Sequence, residues 1–281
     1  MPSVVLALTA HPDDAEFFAG GTLAGLIAAG ARAHILVATD GRRGSFEHSS
    51  PALAELRAEE GRRAAAALGA EPPILLGYPD LELDHLPPGV LREAFIRAIR
   101  RLQPDVVIAE DAFAAYDPHP DHRAVAWAAS DALAFSHLPL MQPEHLEQGL
   151  QPHFVAEKYF YSEHLPSTNR VVDISGTLET KLRALGEHKT QVAFLVEDVL
   201  RQARTAGLDV EAILGTMAAE PMLAMEWALR AQAAEVGARI GVAYGEAFRY
   251  ARFHPIVENL LAAQGDGYAS PTGTRATPGP A

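Results

Sequence analysis

The chain has 281 residues, of which 48% are hydrophobic and 21% are charged, and its formal net charge is −13. This composition excludes a largely disordered chain, and the acidic balance argues against general binding to nucleic acid or to anionic membranes. Cysteine is absent, which excludes disulfides, thiolate nucleophiles and cysteine-bound metals. Any metal must therefore be held by carboxylates and by some of the 12 histidines.

The amino terminus lacks the basic stretch that precedes the apolar core of a signal peptide. No apolar run reaches the roughly 20 residues that a membrane helix needs. We therefore expect a cytoplasmic protein without a membrane partner.

The first 135 residues alternate between short apolar strands and helical segments. Strands are predicted at 4–9, 34–39, 74–76 and 106–109, and helices at 22–29, 51–68, 88–101 and 121–135. This order predicts an α/β fold, with a Rossmann-like, mostly parallel sheet flanked by helices. Because Gly-x-Gly-x-x-Gly is absent after the first strand, no dinucleotide cofactor is expected.

The second half is predicted to be largely helical. Two further strands are predicted at 157–161 and 170–174, and residues 192–262 are rich in helix-forming residues. Residues 1–263 are expected to form a single domain. Residues 264–281 are rich in Gly and Pro and lack Leu, Ile, Val, Phe and Met, so a disordered tail is expected there.

The first strand ends in a tetrapeptide with metal-binding chemistry, His11-Pro12-Asp13-Asp14. Pro12 favours an extended His11, and a strand-to-helix turn lets His11 and Asp14 converge on one point. Histidine nitrogen and carboxylate oxygen are both zinc ligands, and Asp13 is a candidate base for a metal-activated water. The alternative is that Asp13 or Asp14 only caps the following helix.

A second cluster, His119-Pro120-Asp121-His122, follows the fourth strand. Because the carboxyl ends of parallel strands share one edge of the sheet, we expect it to lie beside the first cluster. Three ligands and a water make a catalytic zinc site, which His11, Asp14 and one of these histidines would complete. The spacing leaves open which histidine is the ligand, and two surface histidines that cap a helix are the alternative.

These motifs resemble those of the PIG-L/LmbE family of zinc-dependent N-deacetylases. The sequence from 76–80 through 138–149 most resembles its diacetylchitobiose deacetylase branch. The resemblance runs from about residue 4 to residue 253. It rests on 10–16 with Gly20 and Gly21, 39–41 with Gly44, 119–122, 172–174 with Lys181, 188–191 and 245–248.

The resemblance implies a role for each residue of the two clusters. His11, Asp14 and His122 would bind one Zn²⁺ per chain, and Asp13 would be the general base. His119 would stabilise the oxyanion or protonate the leaving amine, with Asp121 holding its ring.

Four further residues are candidate substrate contacts, each with a simpler interpretation. Arg42 stands where the family often carries an acidic residue, which indicates an anionic or differently substituted substrate, although a solvated loop charge explains it at least as well. Arg57 belongs to an Arg-x-x-Glu run with Glu60, for which an exposed helix salt bridge is favoured. Tyr116 is a candidate stacking ring, and His188 is either a site residue or a helix cap.

The expected function is removal of an N-acetyl group from an N-acetylglucosamine-type sugar or glycoconjugate. The partner is then a small amino-sugar substrate, and the family implies a homo-oligomer, either a trimer or a hexamer. The alternatives are a metal-dependent amidase that acts on a thiol-sugar conjugate and a non-catalytic zinc-binding oligomer.

Overall fold

The computed structural model describes residues 3–114, 117–162, 168–215, 219–265 and 268. The strands are β1 (Val4–Thr9), β2 (Arg32–Thr39), β3 (Ile74–Tyr78), β4 (Val106–Glu110), β5 (Glu157–Tyr161), β6 (Arg170–Asp173) and β7 (Gly245–Ala251). The helices are α1 (Asp14–Ala28), α2 (Ser50–Leu68), α3 (Val90–Leu102), α4 (Pro120–Phe135), α5 (Glu144–Glu147), α6 (Leu178–Leu185), α7 (Lys189–Thr205), α8 (Val210–Leu214), α9 (Pro221–Ala238) and α10 (Pro255–Ala263). A short 3-10 helix (Leu83–His85) follows β3.

In this part of the chain, seven strands form one sheet in the order β3-β2-β1-β4-β5-β7-β6. Strands β1 to β5 are parallel, whereas β7 runs antiparallel to both of its neighbours, β5 and β6. Helices pack on the two faces of this sheet. The predicted α/β class with a mostly parallel sheet is therefore confirmed.

The apolar side chains of the central strands alternate between the two faces of the sheet. Leu6 and Leu8 of β1 pack towards α3 and α4, while Val5 and Ala7 pack towards α1 and α2. A third cluster joins α6, α7 and α9. Because β1 and β4 are buried on both faces, the chain can expose polar groups only beyond their ends.

Two elements differ from the sequence-based expectation. Helix α1 begins at Asp14, eight residues before the expected start, because the turn after β1 passes directly into the helix. Residues 245–251 form a strand inside a region expected to be helical. Tertiary packing determines that these residues form a strand, because β7 pairs with both β5 and β6 and lies between them.

A buried ion pair ties the carboxyl-terminal part to α1. The Lys181 ammonium lies 2.7 Å from Glu246, whose carboxylate also accepts hydrogen bonds from the amides of Gly21 and Thr22 and from the Thr22 hydroxyl. We call these four residues the clamp. A Cβ on Gly21 would lie 2.7 Å from Ile174, so glycine is needed where α1 meets the segment between β6 and α6.

Among the described residues, no helix is both long and apolar enough to cross a membrane. The expected tail at 264–281 falls outside the described residues except for 264, 265 and 268.

Candidate active site

The two motifs meet at the carboxyl edge of the sheet. His11 to Asp14 form the turn between β1 and α1, and His119 to His122 begin α4 after neighbouring β4. The rings of His11 and His119 are 4.5 Å apart, and those of His11 and His122 are 5.1 Å apart. The strand-end rule thus brings together residues that are more than 100 positions apart in the chain.

His11, His122 and Asp14 present their donor atoms to one point. His11 Nδ1 lies 3.2 Å from His122 Nε2, and each nitrogen lies 3.7 Å from an Asp14 oxygen. The other ring nitrogens face carboxylates, because His11 Nε2 lies 3.2 Å from Asp80 and His122 Nδ1 lies 3.2 Å from Asp117. If those nitrogens carry the protons, two lone pairs and a carboxylate face one another, which is the donor set of a divalent cation.

The surrounding carboxylates make this point favourable for positive charge. Burial lowers the pKa of His122, but the facing Asp14 carboxylate and the hydrogen bond to Asp117 outweigh it and raise that pKa to about 11. Burial raises the pKa of Asp80, but its contacts with His11 and Arg43 lower it to about 2. A cation at this point would therefore replace a proton that the site already attracts.

Asp13 and Asp14 do not cap α1. Asp13 makes no side-chain capping bond, although it occupies the N-cap position. Asp14 Oδ2 accepts the amide hydrogens of Ala10 and His11 at 3.0 and 2.8 Å, which fixes the carboxylate beside the histidines. The capping alternative is therefore wrong.

Arg57 lines the cleft beside Asp13, and the expected exposed salt bridge with Glu60 is wrong. Arg57 is 2% exposed and donates from Nη2 to Asp13 Oδ1 at 2.7 Å and from Nη1 to the Gly41 carbonyl at 3.1 Å. Glu60 instead accepts hydrogen bonds from Thr190. Gly41, with its positive φ of 65°, lets the loop after β2 pass over the guanidinium, where a Cβ would collide with Nη1 of Arg57.

His119 is held by its own helix. Its Nδ1 accepts the Asp121 amide hydrogen at 3.2 Å, an N-cap bond that places the proton of a neutral ring on Nε2. Burial and the neighbouring rings of His11 and His122 lower the pKa of His119 to about 4. The residue is thus prepared to donate a hydrogen bond as a neutral imidazole.

The expectation that the Asp121 carboxylate holds the His119 ring needs correction. Asp121 is fully buried, and its carboxylate accepts the amide hydrogens of Leu81 and Leu83. It also lies 3.5 Å from His11 Nε2. Its contact with His119 is through the backbone, so the carboxylate fixes the loop after β3 and the opposite side of the metal-binding point.

The structure places the three other predicted substrate contacts in different surroundings. Arg42 pairs with Asp40 and does not line the cleft, whereas its neighbour Arg43 does. His188 is 1% exposed and lies behind Asp13, 3.5 Å from Glu16, so it cannot reach a substrate directly. Tyr116 lies outside the described residues.

Two residues to which no role was assigned complete the surroundings. One oxygen of the Asp117 carboxylate accepts the His119 amide hydrogen at 2.8 Å, and the other contacts the His122 ring. Glu110, at the end of β4, is 1% exposed, and burial raises the pKa of its carboxyl group well above the usual value. A role for Asp117 is predictable from the sequence, because a carboxylate two residues before a histidine can hold the turn. A role for Glu110 is not, because its position only indicates the end of a strand.

A cleft of about 410 Å³ lies over the site, and the two histidine-aspartate motifs line it through His11, Asp13, Asp14, His119 and His122. Its lining includes the metal-binding point, Asp13 and Arg57, together with apolar side chains of α1 and α7. The cleft is large enough for a small ligand such as a sugar derivative.

Comparison with known proteins identifies the family of this chain. Residues 6–133 match the PIG-L family, described as GlcNAc-PI de-N-acetylase. The diacetylchitobiose deacetylase of Thermococcus kodakarensis is 36% identical over 189 residues, which cover 66% of this chain and 69% of that protein. The chain belongs to the PIG-L family.

Two further matches agree with this assignment. The 1D-myo-inositol 2-acetamido-2-deoxy-alpha-D-glucopyranoside deacetylase of Actinosynnema mirum is 30% identical over 235 residues, covering 68% of this chain and 81% of that protein. The structure of N,N'-diacetylchitobiose deacetylase from Pyrococcus horikoshii superposes with a TM-score of 0.74 at 30% identity, covering 92% of this chain and 88% of that one. The resemblance drawn from the motifs is confirmed, and the matched PIG-L proteins are deacetylases.

Proposed function

We propose that this PIG-L protein is a zinc-dependent N-deacetylase that releases acetate from an N-acetylglucosamine-type sugar. The observation that carries the proposal is the convergence of His11 Nδ1, His122 Nε2 and the Asp14 carboxylate at 3.2–3.7 Å, with the Asp13 carboxylate in the same cleft. The deacetylase relatives support the reaction class.

His11, Asp14 and His122 would hold one zinc ion per chain. Two histidine nitrogens and one carboxylate form a three-ligand set that keeps a position open for substrate or water. When bound, the cation supplies a Lewis acid that polarises the acetyl carbonyl and acidifies the attacking water.

Asp13 is the general base in this proposal. Arg57 binds one of its oxygens, Oδ1, which holds the carboxylate in place without protonating it. The carboxylate takes the proton of the attacking water and returns it to the departing amine, so acetate and a free amino sugar leave without a covalent enzyme intermediate.

His119 stabilises the charge that develops on the acetyl oxygen. The N-cap bond at Nδ1 leaves Nε2–H as the donor, so the ring can act while neutral. The geometry favours this role over that of a protonated acid.

Acetate release tests the proposal. Metal-free enzyme is offered N-acetylglucosamine, its β-1,4 dimer, and the malate and inositol glycosides, with and without zinc. We expect zinc-dependent acetate from at least one of them, and full activity without metal would refute the mechanism. A thiol-sugar amidase would release a different acid, and a non-catalytic zinc-binding oligomer would bind zinc without turnover.

A homo-oligomer, either a trimer or a hexamer, also remains a proposal. In the single chain, Trp227 of α9 and Ile256 of α10 are 61% and 65% exposed, and α10 buries none of its residues. Such faces support association. Sedimentation velocity measures the state directly.

A further inference from the structure

A polar layer lies behind Asp13, on the side that faces away from the cleft. Asp13 lines both the cleft and a second cavity of about 10 Å³, whereas Glu16 and His188 line this small cavity but not the cleft. All three residues are buried, and they come from the start of α1 and the start of α7. Asp13 is therefore backed by polar groups that a substrate in the cleft does not touch.

The His188 side chain does not serve as a helix cap. His188 occupies the N-cap position of α7, but its side chain makes no capping hydrogen bond. The ring instead turns inward, where Nε2 lies 3.5 Å from Glu16 Oε2. Neither ring nitrogen has a well-formed hydrogen bond within the described part of the chain, although the ring is only 1% exposed. A buried imidazole in this state calls for a further polar partner.

The ring also lies within the electric field of Asp13. Burial lowers the pKa of His188, but the contact with Glu16 and the charge of Asp13 outweigh it and raise that pKa above its usual value. The charge of Arg57 acts in the opposite direction, so both members of the Asp13–Arg57 ion pair lie close to the ring. His188 and Arg57 thus approach Asp13 from two different helices, α7 and α2.

One ion pair does not fix the direction of a carboxylate. Arg57 Nη2 binds Asp13 Oδ1 at 2.7 Å, and the carboxylate can still rotate about that contact. A general base has to be held within about 0.5 Å of its productive position. The small cavity has the volume that one water molecule needs, and Asp13, Glu16 and His188 border it, so a water there can connect the ring to Asp13.

We propose that His188 is a positioning residue that orients the Asp13 carboxylate through one water molecule in the small cavity. The inference rests on the proposed role of Asp13 as general base. Because Nε2 faces Glu16, Nδ1 is the ring nitrogen that binds the water, and the water binds Asp13. No proton needs to leave through His188, because Asp13 returns the proton of the attacking water to the amine.

Substitutions at His188 separate the two ring nitrogens, since an Asn amide reaches the position of Nδ1 and a Gln amide reaches that of Nε2. With zinc-loaded enzyme, His188→Leu should lower kcat by about 10- to 100-fold with KM within about twofold, because a displaced base slows the chemistry without weakening binding. His188→Asn should keep kcat within about threefold of the unsubstituted enzyme, whereas His188→Gln should resemble His188→Leu. Zinc content should stay near one per chain in all three.

A double-mutant cycle tests whether His188 acts through Asp13. Adding His188→Leu to Asp13→Asn should lower the residual kcat by less than about twofold, because the carboxylate that His188 positions is already absent. A further loss of about 10-fold would show that His188 acts on another group, and the proposal would then be wrong.

Thr190→Val is the matched control. Thr190 also lies at the start of α7, and its amide and hydroxyl bind the Glu60 carboxylate of α2 at 3.0 and 2.6 Å, outside the lining of the small cavity. This variant should unfold at lower denaturant concentration, with kcat unchanged within about twofold. Equal losses of kcat in Thr190→Val and His188→Leu would mean a general loosening of α7 and would overturn the proposal.

The possible failures are distinguishable. If His188→Asn is no more active than His188→Gln, the water-mediated contact is wrong and the deacetylase function stands. This comparison decides the question even if His188→Leu does not fold. If Asp13→Asn keeps full kcat, or if zinc-loaded enzyme releases acetate from none of the test sugars, the proposed function fails and the inference fails with it.

Discussion

The protein contains two buried polar clusters that are built differently. In the clamp, Glu246 accepts hydrogen bonds from two amides, one hydroxyl and one ammonium. Its single negative charge therefore meets four donors, one of which carries a positive charge. At the metal-binding point, Asp14, Asp80, Asp117 and Asp121 surround the rings of His11 and His122, and two ring nitrogens face each other at 3.2 Å.

The difference separates structural from functional polarity. A satisfied network stabilises one conformation and needs nothing further. A cluster with excess carboxylates around two facing ring nitrogens attracts positive charge, so its arrangement favours cation binding over stability of the fold. The family motifs contribute residues to both clusters, and the hydrogen-bond geometry distinguishes them.

Removal of the metal should have the largest effect and should act on one cluster alone. Treatment with a chelator is expected to abolish acetate release and to lower the melting temperature, since a ligand at 1,000 times its Kd contributes about 4 kcal/mol. Zinc should restore both. The checks are enzyme assay, metal analysis and calorimetry, and unchanged melting after verified metal loss would contradict a preformed site.

The substitution Asp13→Asn should distinguish a role of Asp13 as general base from a role as metal ligand. We expect kcat to fall by about 10²-fold or more while zinc content stays near one per chain. The unfolding free energy should also decrease, because Arg57 would lose its buried carboxylate. Loss of zinc in this variant would make Asp13 a ligand instead.

Lys181→Met should affect the clamp without affecting the chemistry. Removing the ammonium leaves the buried Glu246 carboxylate without its counter-charge, which should cost about 3–5 kcal/mol in denaturant unfolding. The control is Lys189→Met at an exposed position on α7, which should change little. A lower kcat at unchanged stability would mean that the clamp contributes to the active site.

Gly21→Ala gives the smallest effect and tests how closely α1 is packed at the clamp. The added Cβ would meet Ile174 at 2.7 Å, so we expect a loss of about 1–3 kcal/mol. Gly25→Ala lies one turn later with open space around its Cβ and should gain up to about 1 kcal/mol. Equal effects of the two substitutions on thermal unfolding would argue against the close contact.

The order of strands and helices in the first half could be predicted because buried parallel strands are short apolar runs separated by amphipathic helices. The strand-end rule then placed His11 and His122 together. Strand β7 was missed, because its polar and aromatic residues make sense only between β5 and β6.

The Arg57 error has a physical origin. Residues three apart on an isolated helix pair with each other, but Arg57 and Glu60 lie on a buried face with Leu53 and Ala64. That 3.6-residue pattern was a signal that both side chains turn inward. Their separate partners, Asp13 and Thr190, depend on tertiary packing and could not be derived from spacing.

The position of β7 has a consequence for the order of assembly. The strand that separates β5 from β6 is synthesised after the other six strands of the described sheet, and its Glu246 accepts hydrogen bonds from the amides of Gly21 and Thr22, 224 to 225 positions earlier. Until then β5 has an unpaired edge, which invites pairing with another chain. The nascent protein therefore depends on β7 to protect the edge of a sheet whose first strands, with the candidate site at their ends, were synthesised long before.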